Sequence, residues 1–521
     1  MKIFYPTRVV FIFLVLLPYV LDAQSGQRYA MPVPDSTRSA RIKSLLPAID
    51  NIYKQYAARN KFPSLSYGIV VDGKLITSGL TGLINVDKKI KPDISSMYRI
   101  ASMSKSVTAV AILQLRDAGR LNLDDPASKY IPELKQDKLL TTDAPPISIR
   151  HLLTHGAGFP EDNPWGDRQL EDSNADLMAL IKNGTYFSNV PGIAYEYSNL
   201  GFALLGQIIE KVSGMPFDVY TKEKIFKPLG MTHTEWEYTK VPADKLVHGY
   251  RLIHDQWKEE TPLHHGAYGA MGGLITSIED FSRYVAFHMA AWPPRSGAEN
   301  PVLKRSSLRE MHMPHNISSF NLQNKYPSGR ACPIVGAYNY GLGWTRDCED
   351  RIYVGHSGGL PGYGSQWRFL PEYGIGVLSF ANQTYANLGT INTQILDTLI
   401  RGAGLHRYTL PASEILNQRQ DALIKLLPKW DSTMIARYSG PSSNIFSENF
   451  FPDYPLADLR ADHIASFKSI GNILHIGDVK AENQLRGSFD IIGDKGKLNV
   501  YFTLTPENPP LIQELRISPI K

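Results

Sequence analysis

The chain has 521 residues, which is long for one domain and indicates two or three. Hydrophobic residues make up 43% and charged residues 20%, so the composition excludes extended disorder and a coiled coil. The formal net charge is only +5 and the basic residues are scattered, so we expect no nucleic-acid partner.

The first 23 residues have the pattern of a secretory signal peptide. Lys2 and Arg8 precede an apolar run over residues 9–20, and Leu21-Asp22-Ala23 precedes the expected cleavage before Gln24. The run is shorter than the ~20 residues that a helix needs to cross a bilayer. We therefore expect an exported protein, periplasmic or secreted, without stable membrane insertion after cleavage.

The next segment predicts a helix, a hairpin and a second helix. Apolar residues at helical spacing predict a helix over residues 39–60. Strands over residues 64–71 and 75–81 flank the turn Asp72-Gly73, which predicts a hairpin. The second helix begins near Ser102 and ends at Gly119.

Ser102 and Lys105 stand three residues apart at the start of that helix. This spacing brings two side chains to within contact on a helix surface. A serine hydroxyl is a weak nucleophile until a neighbouring group accepts its proton, and a desolvated lysine can accept it. The pair therefore indicates a nucleophile and its base, while the alternative is that Ser102 only caps the helix.

Tyr197 and Asn199 stand directly before an apolar helix predicted over residues 200–212. We predict that nearby Lys105 lowers the pKa of Tyr197, which would then move the proton from Ser102 to the leaving group. Asn199 would orient Lys105 and the substrate amide. The structural alternative is a core aromatic followed by an ordinary helix cap.

The sequence contains two cysteines, Cys332 and Cys348. In an exported protein a disulfide between them is favoured over two buried free thiols. Closing a loop of this length stabilises a fold by roughly 3 kcal/mol in the chain-entropy model. Neither cysteine stands in a motif typical of a catalytic thiol.

A second serine, Ser357, offers an alternative nucleophile. Residues 355–359 fit the pattern G-x-S-x-G of the α/β-hydrolase elbow, and Asp397 and His406 follow in the order that such a triad needs. An elbow runs from a strand directly into a helix. Here predicted strands over 351–355, 364–370 and 375–380 surround a turn, which favours Ser102.

The chain changes character near residue 410. A helix is predicted over residues 414–427, and short alternating strands over 473–476, 498–504 and 511–517 predict a separate antiparallel β domain, with a small barrel as one form. No catalytic constellation stands in it. The sequence also lacks an H-E-x-x-H motif and a cysteine cluster, so we expect neither a metal nor a cofactor.

Three motifs in order resemble those of the penicillin-binding protein and β-lactamase superfamily: Ser102-x-x-Lys105, Tyr197-x-Asn199 and His356-Ser357-Gly358. The resemblance extends over roughly residues 40–400 and is strongest to the branch of class C β-lactamases, D-aminopeptidases and related esterases. Flanking segments agree with it, namely Tyr98-Arg99-Ile100-Ala101, Leu123-Asp124-Asp125-Pro126, His151-Leu152-Leu153-Thr154-His155, Pro228-Leu229-Gly230-Met231 and Gly341-Leu342-Gly343-Trp344.

The resemblance implies an α/β (α+β) fold over residues 24–409, an antiparallel sheet flanked by helices beside a mostly helical subdomain, with residues 410–521 forming the small β-rich domain. Ser102 would be the acyl-forming nucleophile, and Lys105 and Tyr197 would handle protons. The implied substrate-binding residues are Asn199, His356, Ser357 and Gly358. Backbone N–H groups of Ser102 and Gly359 would form the oxyanion hole.

The third motif departs from the usual β-lactamase form, which begins with lysine. His356 is only partly charged near neutral pH, so a fixed positive charge is missing. The resemblance implies an exported serine hydrolase acting on a small peptide, amide or ester substrate through a Ser102 acyl-enzyme. The alternative class is a non-catalytic penicillin-binding or sensor protein, in which Ser102 is acylated without turnover.

Overall fold

The computed structural model describes residue 35 and residues 37–134, 140–430, 435 and 444–520. The predicted signal peptide lies outside these residues. The chain divides at Leu410 into two compact units. Within the described residues, no helix is long and apolar enough to span a membrane.

The first unit is built on an eight-stranded antiparallel sheet. Its strands are β1 (Ser64–Val71), β2 (Lys74–Gly82), β3 (Asn316–Asn321), β4 (Ile334–Tyr338), β5 (Gly343–Asp347), β6 (Ile352–Leu360), β7 (Tyr363–Leu370) and β8 (Ile375–Ala381). Their order across the sheet is β2-β1-β8-β7-β6-β5-β4-β3. The predicted hairpin of β1 and β2 is confirmed, and so are the predicted strands of β7 and β8.

Helices cover both faces of this sheet. The main helices are α1 (Arg38–Arg59), α2 (Ser104–Asp117), α3 (Asn199–Ser213), α4 (Ile278–Met289) and α5 (Gly389–Gly402). One hydrophobic core packs α1 and α5 against the sheet, and a larger one packs α2, α3 and α4 on the other side. Because both faces are covered, every residue of β1 and β8 is buried, and both strands consist mostly of apolar residues.

Shorter elements connect these helices and strands. They are Tyr98–Arg99, Ala101–Met103, Ala127–Lys129, Ile149–Leu153, Trp165–Arg168, Asn174–Asn183, Phe217–Thr221, Lys222–Phe226, Lys227–Leu229, Thr234–Glu235, Tyr238–Lys240, Tyr250–Ile253, Gln256–Glu259, Gly269–Gly272, Ile275–Thr276 and Arg305–Met311. Many of them are helical and lie between β2 and β3, where the resemblance implies the helical subdomain.

Two predicted boundaries are corrected near the expected site. Ser102 lies in a single turn of 3₁₀ helix, Ala101–Met103, and α2 begins only at Ser104. The strand predicted to end at Gly355 continues through the third motif to Leu360, because residues 354–360 of β6 pair with β7 along their whole length.

Cys332 and Cys348 form a disulfide, as predicted, with their Cα atoms 5.2 Å apart. Cys332 lies just before β4 and Cys348 just after β5, which are paired neighbours in the sheet. The disulfide therefore links the start of β4 to the end of β5, which are opposite each other in this antiparallel pair.

The second unit contains the predicted antiparallel sheet. Its five strands are Ile473–Ile476, Lys480–Asn483, Arg486–Gly493, Lys497–Leu504 and Ile512–Ile520, and its helices are Glu414–Leu426, Phe450–Asp453 and Leu456–Ile470. In the described residues these strands form an open sheet, so the suggested barrel is corrected. The helix Leu456–Ile470 was not predicted, although Leu459, His463 and Phe467 are buried at helical spacing.

Candidate active site

The turn that carries Ser102 is fixed by its neighbours. The backbone N–H of Ile100 donates to the carbonyl oxygen of Leu274 at 2.9 Å, and Ser104 Oγ donates to the carbonyl oxygen of Ala101 at 2.6 Å. Ala101 has a φ of +50°, a left-handed backbone conformation that residues other than glycine rarely adopt. Tertiary contacts therefore impose the backbone conformation from which Ser102 projects.

Lys105 is fully buried and makes three hydrogen bonds. Its Nζ donates to Ser102 Oγ at 3.0 Å, to Asn199 Oδ1 at 2.7 Å and to the carbonyl oxygen of Met271 at 2.9 Å. Burial lowers the pKa of Lys105 to about 7, although the nearby carboxylates of Asp167 and Asp162 favour its charged form. Near neutral pH a large fraction of Lys105 is thus uncharged and able to accept the Ser102 proton.

The prediction for the pKa of Tyr197 is wrong. The Lys105 ammonium lies 4.8 Å from the centre of the Tyr197 ring, but burial raises the pKa of Tyr197 well above its usual value. The side chain of Ser102 opposes this rise without cancelling it. Tyr197 therefore stays protonated at neutral pH, where its hydroxyl can donate a proton but is a poor initial acceptor.

Asn199 lies behind the cavity rather than in its wall. Its side chain is fully buried, Oδ1 accepts from Lys105, and Nδ2 donates to Asn163 Oδ1 at 2.7 Å. The structure thus supports the predicted orientation of Lys105. Asn163, which sequence reasoning missed, lines the cavity in which Asn199 was expected to meet the substrate.

Two aspartates near Asn163 were also missed. Asp162 accepts from the backbone N–H groups of Asn199 at 2.7 Å and Leu200 at 2.8 Å, so it caps α3. Asp167 lies in the cavity wall, where burial raises its pKa to about 6 and the Tyr385 hydroxyl donates to it at 3.0 Å. No sequence spacing connects these two aspartates to the motifs.

The third motif lies on β6 at the opposite wall. His356 Nδ1 faces the carbonyl oxygen of Ser357, which can only accept, so Nδ1 carries the proton. His356 Nε2 then accepts from the Tyr338 hydroxyl at 2.9 Å. Burial and the charge of Lys105 lower the pKa of His356 to about 3. His356 is therefore uncharged at neutral pH, whereas the sequence suggested partial charge.

The structure contradicts the alternative nucleophile. Ser357 lies within β6, and β6 continues through a tight turn into β7 instead of a helix. Asp397, its proposed triad partner, accepts from Arg351 at 2.8 Å and from Arg401 at 3.1 Å. These contacts make Asp397 part of a group of ion pairs on α5, so the elbow hypothesis is rejected.

The predicted motifs meet around one cavity of about 500 Å³. Its wall includes the site residues Ser102, Tyr197, His356, Ser357, Gly358 and Gly359. Lys105 and Asn199 lie directly behind Ser102. The arrangement provides a nucleophile, a base near neutrality and a phenol that can donate a proton.

The lowered pKa of Lys105 predicts the pH dependence of any reaction at Ser102. Only the uncharged amine accepts a proton, so kcat/KM should rise with pH through about 7 and then level off. Initial rates with an activated ester, corrected for hydroxide-catalysed hydrolysis, give this profile. A flat profile between about pH 6 and pH 8 would contradict the assignment of Lys105 as base.

Comparison with known proteins identifies the family of this chain. The Beta-lactamase family model matches residues 49–400. Protein flp of Staphylococcus aureus (strain N315) is 30% identical over 379 residues, which are 72% of this chain and 69% of that protein. Beta-lactamase-like protein 2 of Dictyostelium discoideum is 28% identical over 376 residues, which are 70% of this chain and 64% of that protein.

Solved structures share the fold. An octameric penicillin-binding protein homologue from Pyrococcus abyssi matches with a TM-score of 0.57 and 22% identity, over 91% of this chain and 99% of that one. A class C beta-lactamase matches with a TM-score of 0.54 and 20% identity, over 70% of this chain and 98% of that one. The family match and the fold place this chain in the β-lactamase and penicillin-binding protein superfamily of serine hydrolases. Within it, the chain belongs to the beta-lactamase family.

Proposed function

We propose that this protein is a serine hydrolase that forms an acyl-enzyme on Ser102 with a small peptide, amide or ester. The contact that carries the proposal is the hydrogen bond of 3.0 Å between Lys105 Nζ and Ser102 Oγ. This contact connects the candidate nucleophile, which lies in the cavity wall, to a buried amine with a pKa of about 7. This is the arrangement that nucleophilic catalysis needs.

The reaction follows from the protonation states. Uncharged Lys105 accepts the proton of Ser102 Oγ while this oxygen attacks the carbonyl carbon of the substrate. Backbone N–H groups of Ser102 and Gly359 stabilise the oxyanion that develops. The phenol of Tyr197 donates its proton to the leaving group and recovers one from the Lys105 ammonium. Water then attacks the carbonyl carbon of the acyl-enzyme and gives a proton to Lys105, which passes it to Ser102 Oγ as the bond between this oxygen and the acyl group breaks.

We also propose that the protein is exported. The proposal rests on the charged and apolar pattern of residues 1–23 and on the disulfide between Cys332 and Cys348. Disulfides persist in oxidising compartments such as the periplasm and the extracellular space. Cell fractionation and the N-terminal sequence of the mature protein test this: an intact N-terminus in the cytosolic fraction would contradict it.

Covalent labelling tests the catalytic proposal. The protein is treated in parallel with a fluorophosphonate and a labelled penicillin, and mass spectrometry locates the modified residue. We expect the fluorophosphonate to label Ser102. Labelling of Ser102 by penicillin would mean that the protein also accepts β-lactam-like substrates. A label on Ser357, or no label from either reagent, would contradict the proposal. Labelling of Ser102 without turnover of any activated ester would favour a penicillin-binding sensor instead.

A further inference from the structure

Tyr197 lies in an irregular segment, although the proposed reaction needs its hydroxyl in one place. Residues 194–198 belong to no helix or strand, and α3 begins only at Asn199. A general acid has to lie within hydrogen-bond reach of the atom that it protonates, so a small displacement lowers the rate strongly. The position of Tyr197 therefore depends on contacts from another part of the chain.

His155 binds the backbone on both sides of Tyr197. Its carbonyl oxygen accepts from the backbone N–H of Glu196 at 2.8 Å, and its Nδ1 accepts from the backbone N–H of Ser198 at 3.1 Å. Both contacts come from one residue, which is only 2% exposed. Because residues 196 and 198 flank Tyr197, the two hydrogen bonds fix the backbone from which the Tyr197 side chain projects.

The His155 ring also packs against the aromatic side chains of the site. Its centre lies 4.2 Å from that of the Tyr197 ring and 4.3 Å from that of the Tyr338 ring. The Tyr338 hydroxyl in turn donates to His356 Nε2 at 2.9 Å. His155 therefore restricts the Tyr197 ring and connects the second motif to the third.

The hydrogen bonds define the protonation state of His155. Its Nδ1 accepts from a backbone N–H, so the single proton of the neutral ring is on Nε2. Nε2 is buried and makes no hydrogen bond to the described residues. Burial and the charge of Lys105 lower the pKa of His155 well below its usual value. The imidazole thus stays uncharged, and its contribution comes from packing and from the Nδ1 acceptor.

The backbone of His155 has a conformation that histidine rarely adopts. Its φ is +54°, and the next N–H, that of Gly156, donates to the carbonyl oxygen of His151 at 2.8 Å. This pattern ends the helix Ile149–Leu153, and its left-handed position usually holds glycine, which avoids the steric cost. Helix termination alone would therefore favour glycine. A histidine is explained by what its side chain binds, namely the segment that carries Tyr197.

We propose that His155 is a positioning residue, which holds Tyr197 where its hydroxyl donates a proton to the leaving group. The inference rests on the proposed function, since it assumes this proton transfer. His155 does not line the cavity at Ser102, so it acts through Tyr197. Cleavage of amides and alkyl esters, whose leaving groups need the proton, depends on His155, whereas cleavage of nitrophenyl esters does not.

Two substitutions that tolerate the left-handed backbone test this role. His155→Gly removes the ring and the acceptor, whereas His155→Asn keeps an oxygen close to the position of Nδ1. We expect His155→Gly to lower kcat/KM about 30- to 100-fold for alkyl esters and less than about threefold for nitrophenyl esters. His155→Asn should retain more of the alkyl-ester activity. Equal losses for both kinds of ester, or equal losses in the two variants, would overturn the positioning role.

A double substitution separates positioning from a general effect on the fold. In a Tyr197→Phe background, His155→Gly should lower alkyl-ester turnover less than about twofold further, because the hydroxyl that it positions is gone. An undiminished further loss would overturn the proposal. If thermal unfolding shows that His155→Gly does not fold, His155→Phe replaces it in every comparison, since phenylalanine fills the space of the ring but lacks the acceptor.

His151→Ala is the matched control. His151 Nδ1 also accepts from a backbone N–H, that of Ser148 at 3.3 Å, but this contact does not involve the segment of Tyr197. We therefore expect no selective loss for alkyl esters in this variant, and such a loss as large as that in His155→Gly would overturn the proposal. Absence of Ser102-dependent turnover with every ester would instead overturn the proposed function.

Discussion

Replacing Ser102 with alanine is expected to lower turnover of an activated ester to the background rate and to abolish fluorophosphonate labelling. Loss of a catalytic nucleophile typically costs about 10⁶-fold in turnover. Ser357 is not expected to substitute, because the Lys105 amine bonds to Ser102 Oγ and Ser357 lies on β6. The measurement is kcat/KM together with the stoichiometry of labelling.

Ser357→Ala is the matched control for that experiment. It removes a hydroxyl from the same cavity but leaves the contact between Ser102 and Lys105 intact. We expect labelling of Ser102 to persist in this variant. If Ser102→Ala kept substantial turnover while Ser357→Ala lost it, the assignment of the nucleophile would be wrong.

Replacing Lys105 with glutamine should lower kcat/KM about 10³-fold, within the range for loss of a general base. Lys105 has a pKa of about 7 and contacts Ser102 directly. The loss should be similar for nitrophenyl and alkyl esters, because Lys105 acts on the attacking oxygen in both. Thermal unfolding of the variant serves as the control for correct folding.

Tyr197→Phe provides the contrasting result. Its raised pKa suits proton donation to the leaving group, which an alkyl ester or amide needs and a nitrophenolate does not. We therefore expect a large loss for alkyl esters and amides and a small one for nitrophenyl esters. Equal losses in Lys105→Gln and Tyr197→Phe with a nitrophenyl ester would contradict this division of roles, because Tyr197 would then also be needed to activate Ser102.

The three motifs could be read from the sequence because each combines residue types with a short, fixed spacing. The pKa of Tyr197 could not be predicted in the same way. The sequence shows that Lys105 is a neighbour, but the shift depends mainly on burial, which arises from packing against His155 and Tyr338. The identity of the site residues was thus predictable from the sequence, whereas the burial that shifts the pKa of Tyr197 was not.

The residues that were missed come from segments without regular spacing. Asn163 lies on a loop and Asp167 in the four-residue helix Trp165–Arg168 that follows it, and the loop reaches the site because Asp162 binds the first turn of α3. Side chains brought together by tertiary structure alone leave no pattern in a single sequence.

The left-handed conformation of Ala101 sets stability against reactivity at this position. An L-residue in that conformation costs roughly 1–2 kcal/mol, and glycine would avoid most of it. Glycine would also free the chain next to the nucleophile to sample other conformations, and a shifted Ser102 would lose its alignment with Lys105. Selection for a more stable protein and selection for a faster one would therefore favour different residues at position 101.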